Sequence, residues 1–370
     1  MKVIKYCDLC SGIGGFRIGI QEYEKGNSSI QFECILSADI KQQAIDTYNA
    51  NFGTNIVKTN IYDIIPHEID KFDLLCAGFP CQPFSSAGNK KGFSDDRGGM
   101  IFKIIEICSY HKPSVVILEN VSNLLVIEKG ECINKIVKLF EEIGYHVSYK
   151  KLNSQDFGCA QSRERVYIIC KLESPIYIED KVYDNKYLRD VIQYTDSDSD
   201  LDKNFTSKLL QIHANKSIHG CKIGDKRGGS NNIHSWDIEY NGVVNDEEKV
   251  LMNKLMLERR KKKWAIKKDI KWMDGMPLTK DEIRTFCDND KLDEMLNNLV
   301  NLKYLKMEKC KNLIDGKRVY KEDGDIGYNI CKGKLSYPLS KVLHPDDVSP
   351  TLTATDSHKL GIVVNNCIRR

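Results

Sequence analysis

The chain has 370 residues, 41% of them hydrophobic and 29% charged, with a net charge of +3; this balance excludes a disordered or fibrous protein and suits a soluble globular one of two domains. No apolar run approaches the ~18 residues that a membrane span requires, so an intracellular, cytoplasmic protein is expected. The 14 cysteines are scattered over the whole length, which points to reduced thiols and away from a secreted disulfide framework. Cys7 and Cys10 form a CxxC without the second pair a zinc site needs, so no metal is expected.

Apolar, β-branched runs at 3–9, 33–38, 72–78, 114–120, 146–153 and 165–171 read as strands. Helical patterns at 41–52, 100–111 and 131–144 lie between them, the last with Ile133, Ile136, Val137 and Phe140 at helical spacing. This alternation predicts an α/β fold, a Rossmann-like, doubly wound and mostly parallel sheet, over residues 1–172. In such sheets ligands bind beyond the carboxyl ends of the strands. The first strand ends in DLCSGIGGFRIG, where Gly12, Gly14 and Gly15 allow a tight turn into a helix. The second ends at Asp39, an acid suited to ribose hydroxyls. Because the glycines do not follow the GxGxxG pattern of pyrophosphate binding, the pair points to a nucleoside cofactor without a pyrophosphate.

The third strand leads into GFPCQPFSSAG, which sets Cys81 between Pro80 and Pro83. Proline fixes φ and removes a donor, so this thiol belongs to a shaped loop and not to a continuing helix or central strand. A nucleophile and an ordinary loop cysteine are equally open readings of that segment alone. The fourth strand ends in Glu119-Asn120. Residues 173–348 are polar and poorly periodic, with a helix expected at KYLRDVIQY and a glycine-basic segment at 224–236. Within them ERRKKKWAIKK (258–268) carries seven Lys and Arg against one Glu, a pattern of a solvated helix face or of a phosphate-backbone contact.

DLCSGIGGF, GFPCQPFSSAG, ENV (119–121) and QSRERVYII (161–169) resemble, in order, signature blocks of the cytosine-C5 DNA methyltransferases of restriction-modification systems; SPTLTAT (349–355) resembles a later one. The resemblance implies a catalytic domain at 1–172, a target-recognition domain at 173–348 and a C-terminal return segment beginning at 349–370. It implies S-adenosyl-L-methionine as cofactor, double-stranded DNA as partner, and a cytosine flipped out of the stack. By position, Cys81 would add to C6 as a thiolate, Glu119 would act at N3, and Arg163 and Arg165 would hold O2 and support the site. Cofactor residues carried over by resemblance are Asp8, Gly12, Gly14, Gly15, Phe16, Asp39, Asn60, Ile61 and Pro80. Residues 85–99 would form a lid over the flipped base, with Ser85, Lys90, Lys91 and Arg97 meeting phosphates. Arg227, Asn231 and Asn232 are the candidates for reading base edges.

Several features depart from the family pattern. Cys10 stands where many relatives have Phe, and Asn60 where many have Asp. Blocks like LTxxExxRLQGFP and GNSV are absent after Ile368, so a missing C-terminal segment or a partner subunit is expected to be needed for full activity. An RNA cytosine methyltransferase of the same architecture and a catalytically incomplete DNA-binding protein are the alternative readings.

Overall fold

The computed structural model describes residues 1–80, 99–179, 183–192, 201, 203–225, 231–272, 275–314, 316–331, 338–353, 357–364 and 367–369. Contacts divide the chain into two units, Met1–Asn185 and Lys186–Arg370.

In the first unit the order is β1 (Lys2–Leu9), α1 (Gly15–Lys25), β2 (Ile30–Ala38), α2 (Gln42–Phe52), β3 (Leu74–Gly78), α3 (Gly99–His111), β4 (Val115–Val121), α4 (Glu131–Glu142), β5 (His146–Asn153) and β6 (Glu164–Lys171). The six strands form one sheet in the order β2-β1-β3-β4-β6-β5. The pairings of β1 with β2, β1 with β3 and β3 with β4 are parallel; β6 runs against both β4 and β5. The doubly wound reading holds, with this reversed β6 making the sheet mixed. The central β3 is buried on both faces, which explains why FDLLCAG is a continuous apolar run and not an alternating one. Odd-numbered positions of β1 and β3 (Cys7, Leu9, Leu75, Ala77) pack with Ile104 and Ile107 of α3 and Ile136 of α4. Even-numbered ones (Tyr6, Leu74, Cys76) pack with Phe16 and Ile20 of α1. Residues after β6 stay on this unit: Lys150 Nζ donates to the Ile178 carbonyl at 3.1 Å, and Tyr183 N–H to Asp156 O at 2.9 Å.

The second unit contains α5 (Lys203–Asn215), β7 (Lys222–Ile223), β8 (Asn232–Ile233), α6 (Asp246–Glu258), α7 (Lys262–Lys267), α8 (Lys280–Arg284), α9 (Leu292–Asn301), β9 (Leu305–Lys309), β10 (Lys311–Ile314), β11 (Lys317–Tyr320), β12 (Ile326–Ile330), β13 (Lys341–Leu343), β14 (Leu360–Val364) and β15 (Cys367–Arg369). One sheet runs β15-β14-β13-β7-β8; β9 pairs with β12, and β10 with β11. The tail strands β14 and β15 are therefore part of this unit's own sheet. One core gathers Trp236, Leu251, Leu255, Leu296 and Tyr304; a second gathers Phe205, Leu209, Ile223, Val342 and Ile368. No described helix is long and apolar enough to cross a membrane.

One expectation for this half is corrected. KYLRDVIQY is not a helix in its described part, where only Leu188–Asp190 makes a single 3-10 turn. The N–H groups of Leu188 and Arg189 are drawn to the carbonyls of Asp347 and Pro345, and Leu188 and Ile192 pack beside Leu343, Ile362 and Val364. The basic run at 258–268 agrees with the solvated-face reading, with the side chains of Lys261, Lys263 and Lys267 more than half exposed, while several of its cations also pair within the unit. Lys261 and Lys263 pair with Glu258, Lys267 and Lys268 with the buried Glu282, and Lys263 lies over the Trp264 ring. Arg259 is buried and donates to Asn329 Oδ1 at 2.7 Å.

Candidate active site

The carboxyl ends of β1, β2, β3 and β4 converge on one edge of the sheet. At the end of β1 the chain turns sharply: Cys10, Gly12 and Gly14 all have positive φ, at 54°, 55° and 92°. Ser11 N–H donates to Ala38 O at 3.0 Å and Gly14 N–H to Ser11 O at 2.9 Å. No side chain caps the first turn of α1, and a Cβ built on Gly12 or Gly15 would meet nothing within 4 Å. The loop therefore presents bare backbone to open space, as a closely approached ligand requires.

Gly14 is required for a different reason. A Cβ there would lie 2.2 Å from a ring carbon of Phe52, and that ring also stacks under the Arg17 guanidinium at 4.7 Å. Gly14→Ala is expected to destabilise the protein by about 2–3 kcal/mol through the strained φ and overpacking. Denaturant melts of the cofactor-free chain check this; a melt superposing on wild type would contradict it.

Asp39 is fixed by both oxygens, with Oδ2 accepting Gly12 N–H at 2.9 Å and Oδ1 accepting Lys41 N–H at 2.8 Å. Each oxygen keeps a further lone pair for a hydroxyl donor. Thr59 N–H donates to the Asp39 carbonyl at 2.9 Å, which brings Asn60 to the same edge. Asn60 Oδ1 accepts Tyr62 N–H at 3.3 Å, leaving one lone pair on that oxygen, while Ile61 is buried in the main core. Phe16 is half-buried on the α1 side of the sheet, and Pro80 is exposed just past β3. Cys10 packs against the main core and its thiol donates to Met100 Sδ at 3.4 Å; burial pushes that thiol up to about 12.

Two buried groups at this edge lack partners among the described residues: both carboxylate oxygens of Asp8, and the Ser11 hydroxyl. Burial raises the Asp8 carboxyl to about 7, the Arg17 cation opposes the rise and the nearby Asp39 adds to it. Orphaned polar atoms, an open glycine cradle and a ribose-type acid fit a nucleoside cofactor carrying positive charge.

On β4, Glu119 is held from the neighbouring strand. Its Oε1 lies 2.8 Å from Arg165 Nε and 3.6 Å from an Arg163 guanidinium nitrogen. The antiparallel register that pairs Val121 with Arg165 and Glu119 with Tyr167 sets this meeting. A Cβ on Gly78 would lie 3.8 Å from Glu119 Oε2 and 3.7 Å from the Cys10 carbonyl, so the carboxylate and the glycine turn face a common space at the end of β3. The structure thus brings together Glu119, Arg163 and Arg165, and separately Asp8, Gly12, Gly14, Gly15 and Asp39. Cys81, Ser85, Lys90, Lys91, Arg97 and the expected lid lie outside the described residues, as does Arg227.

Asn231 is exposed. The Asn232 amide is engaged internally, accepting Asp225 N–H at 3.0 Å and donating to Asp225 O at 2.6 Å and to His234 Nε2 at 3.0 Å. Asn120 is a site residue that the sequence marks only as the neighbour of Glu119. It is buried, its amide donates to the Phe79 carbonyl at 2.9 Å and its Oδ1 accepts Val121 N–H at 2.9 Å. It pins the backbone two residues before Cys81; the adjacency of a short polar side chain to Glu119 at a strand end is the signal that could have found it.

The chain matches the family described as C-5 cytosine-specific DNA methylase over residues 4–292. It is 39% identical over 379 residues to the type II methyltransferase M.NlaIV of Neisseria lactamica, covering 100% of this chain and 88% of that protein. It is 35% identical over 389 residues to the type II methyltransferase M.BanI of Aneurinibacillus aneurinilyticus, covering 99% and 85%. Among solved structures, the S. pombe Dnmt2 methyltransferase shares 22% identity at a TM-score of 0.45, covering 60% of this chain and 68% of that one.

Proposed function

This chain belongs to the C-5 cytosine-specific DNA methylases, and from that premise we propose that it methylates C5 of a flipped cytosine at a specific site in double-stranded DNA through a covalent Cys81–C6 adduct. It is a DNA cytosine methyltransferase of the type II, restriction-modification kind. The observation that carries the mechanistic reading is Glu119, clamped by Arg165 and Arg163 beside the end of β3, two residues upstream of the prolyl loop that bears Cys81.

Cytosine C5 is a poor nucleophile, so electrons must first be driven into the ring. The Cys81 thiolate adds to C6; the C5–C6 π bond opens, and negative charge builds on C5 and N3. Glu119 delivers a proton or a hydrogen bond to N3, and the two arginines keep its carboxyl aimed while offering donors to O2. Asp39, the Gly12–Gly15 turn, Asp8 and Asn60 are the residues that would hold S-adenosyl-L-methionine. When bound, that cofactor supplies a methyl group on a positively charged sulfonium. Once C5 carries its methyl, loss of the C5 proton to a base and departure of the Cys81 thiolate from C6 restore the double bond.

A duplex substrate carrying 5-fluorocytosine at the target position tests this, because fluorine cannot leave as a proton does and the adduct is trapped. The expected result is a denaturant-resistant protein–DNA complex whose linkage maps to Cys81 and which Cys81→Ser does not form. An adduct at another residue, or one that survives that substitution, would overturn the proposal.

A further inference from the structure

The β10–β11 hairpin is exposed far more than its composition warrants. All four residues of β11 are exposed, and with them the apolar side chains Ile314, Val319 and Tyr320 at 52%, 45% and 53%. A two-stranded ribbon buries too little to be stable alone, and among the described residues this one is anchored at its root. There Cys310 is buried and its carbonyl accepts Lys321 N–H at 2.9 Å, while Asn312 Oδ1 accepts Lys271 N–H at 3.0 Å. Gly316, at φ 76°, serves the two-residue connection at the tip.

The charge on this ribbon is predominantly positive: KNLI and KRVY together carry three cations and no acid, and Asp315, between the two strands in sequence, is the one acid of residues 311–320. The pairing of Lys311 with Tyr320 and Leu313 with Arg318 puts those four on one face. That face borders a cleft of about 160 Å³ that is also lined by Arg259, Lys306, Lys309 and Glu308. Its one carboxylate is already satisfied, by Lys306 at 2.7 Å and Asn329 at 2.6 Å. Lys311 Nζ rests over the Tyr320 ring at 4.5 Å; neither Lys311 nor Arg318 has a carboxylate partner among the described residues. The opposite face offers Asn312, Ile314, Lys317 and Val319.

We propose that this ribbon is a duplex-DNA contact of the enzyme, lying in the major groove with a backbone phosphate received in the cationic cleft at its root. The inference rests on the DNA-methylation reading above and names a surface that reading leaves open. A two-stranded ribbon matches the width of the B-DNA major groove, and its apolar side chains suit thymine methyl groups. Lys311 and Arg318, which make no ion pair with a carboxylate among the described residues, suit phosphates. Duplex RNA, whose major groove is too narrow for side chains to read, is not accommodated in this way.

Binding of a random-sequence pool of labelled duplex DNA to the full chain, measured over a series of salt concentrations, tests the proposal. The Lys311→Ala/Arg318→Ala double variant should bind about tenfold more weakly near 0.1 M salt, with the slope of log K against log salt shallower by about 2. Its KM for duplex DNA should rise in parallel, while its thermal melt and cofactor affinity stay at wild type. Lys317→Glu, at an exposed strand position, is the second variant and should weaken binding without touching the cleft. Folded variants that bind with wild-type affinity and slope would overturn the ribbon assignment alone. Duplex RNA competing as well as duplex DNA would remove the groove contact. A wild-type chain that does not bind duplex DNA would remove the underlying reading as well.

Discussion

Glu119→Gln is expected to lower the single-turnover rate of methyl transfer by about 10²–10⁴-fold while leaving duplex and cofactor affinity near wild type. Glutamine has the length of glutamate and keeps an oxygen that can accept from Arg165 Nε, which now sits 2.8 Å from Glu119 Oε1. The scaffold of the site should therefore survive the change. What is lost is an acid that can pass a proton to N3 as the Cys81 thiolate adds to C6. Without it, negative charge develops at N3 with no acid to deliver a proton there, and the penalty falls on the transition state, not on the ground state. A rate equal to wild type would remove Glu119 from the chemistry and leave the arginine clamp as a structural pair.

The first half of this fold was legible because its signals are local. The six strands and the helices α2, α3 and α4 lie where the apolar runs and helical spacing put them, within a few residues. The candidate edge followed from topology, since Gly12, Asp39 and Pro80 stand just after strands and Asp8 and Glu119 near the carboxyl ends of theirs. The reversal of β6 was not legible, because parallel and antiparallel buried strands have the same apolar runs; the direction is set by the short connection at residues 154–163. Asn120 was invisible as a positioning residue because its partner, the Phe79 carbonyl, is a backbone atom 41 residues away.

The second half failed for a different reason. Its helices bury Met and Trp beside abundant lysine, which blurs the apolar stripe, so α6 buries Leu251, Met252, Leu255 and Met256 without a strong contrast to its outer face. Local signs were nevertheless present. Asn245 with Glu248, and Thr279 with Glu282, form capping boxes at the starts of α6 and α8. Leu292, Met295, Leu296 and Leu299 mark the buried stripe of α9. The basic run at 258–268 shows the limit of charge counting: what decides its role is the position of Glu258 and the buried Glu282, which pair with four of its lysines.

Asp8→Asn is expected to stabilise the cofactor-free protein at pH 8 by at most about 4 kcal/mol and to leave it unchanged near pH 4. The Asp8 carboxyl is buried, without a partner among the described residues, and raised to about 7 mainly by that burial. The sign follows from proton counting. Between the ordinary aspartate range and pH 7 the unfolded chain has lost this proton while the folded chain keeps it, so stability falls as pH rises through that window and is level above it. Asparagine has no proton to lose, and the variant should show no such fall. The carboxylate is then a group whose burial costs stability until something positive arrives beside it, the pattern expected where a site is built for its ligand and not for the empty fold. A positively charged cofactor favours the ionised form, so its affinity should strengthen as pH rises through about 7 in the wild type. The same affinity should be weaker and independent of pH over that range in Asp8→Asn. Thermal melts and cofactor titrations at pH 5 and pH 8 separate the two effects. Parallel melts at both pH values would mean that the carboxylate is already compensated in the free protein, and a retained pH dependence of cofactor binding would assign that titration to another group.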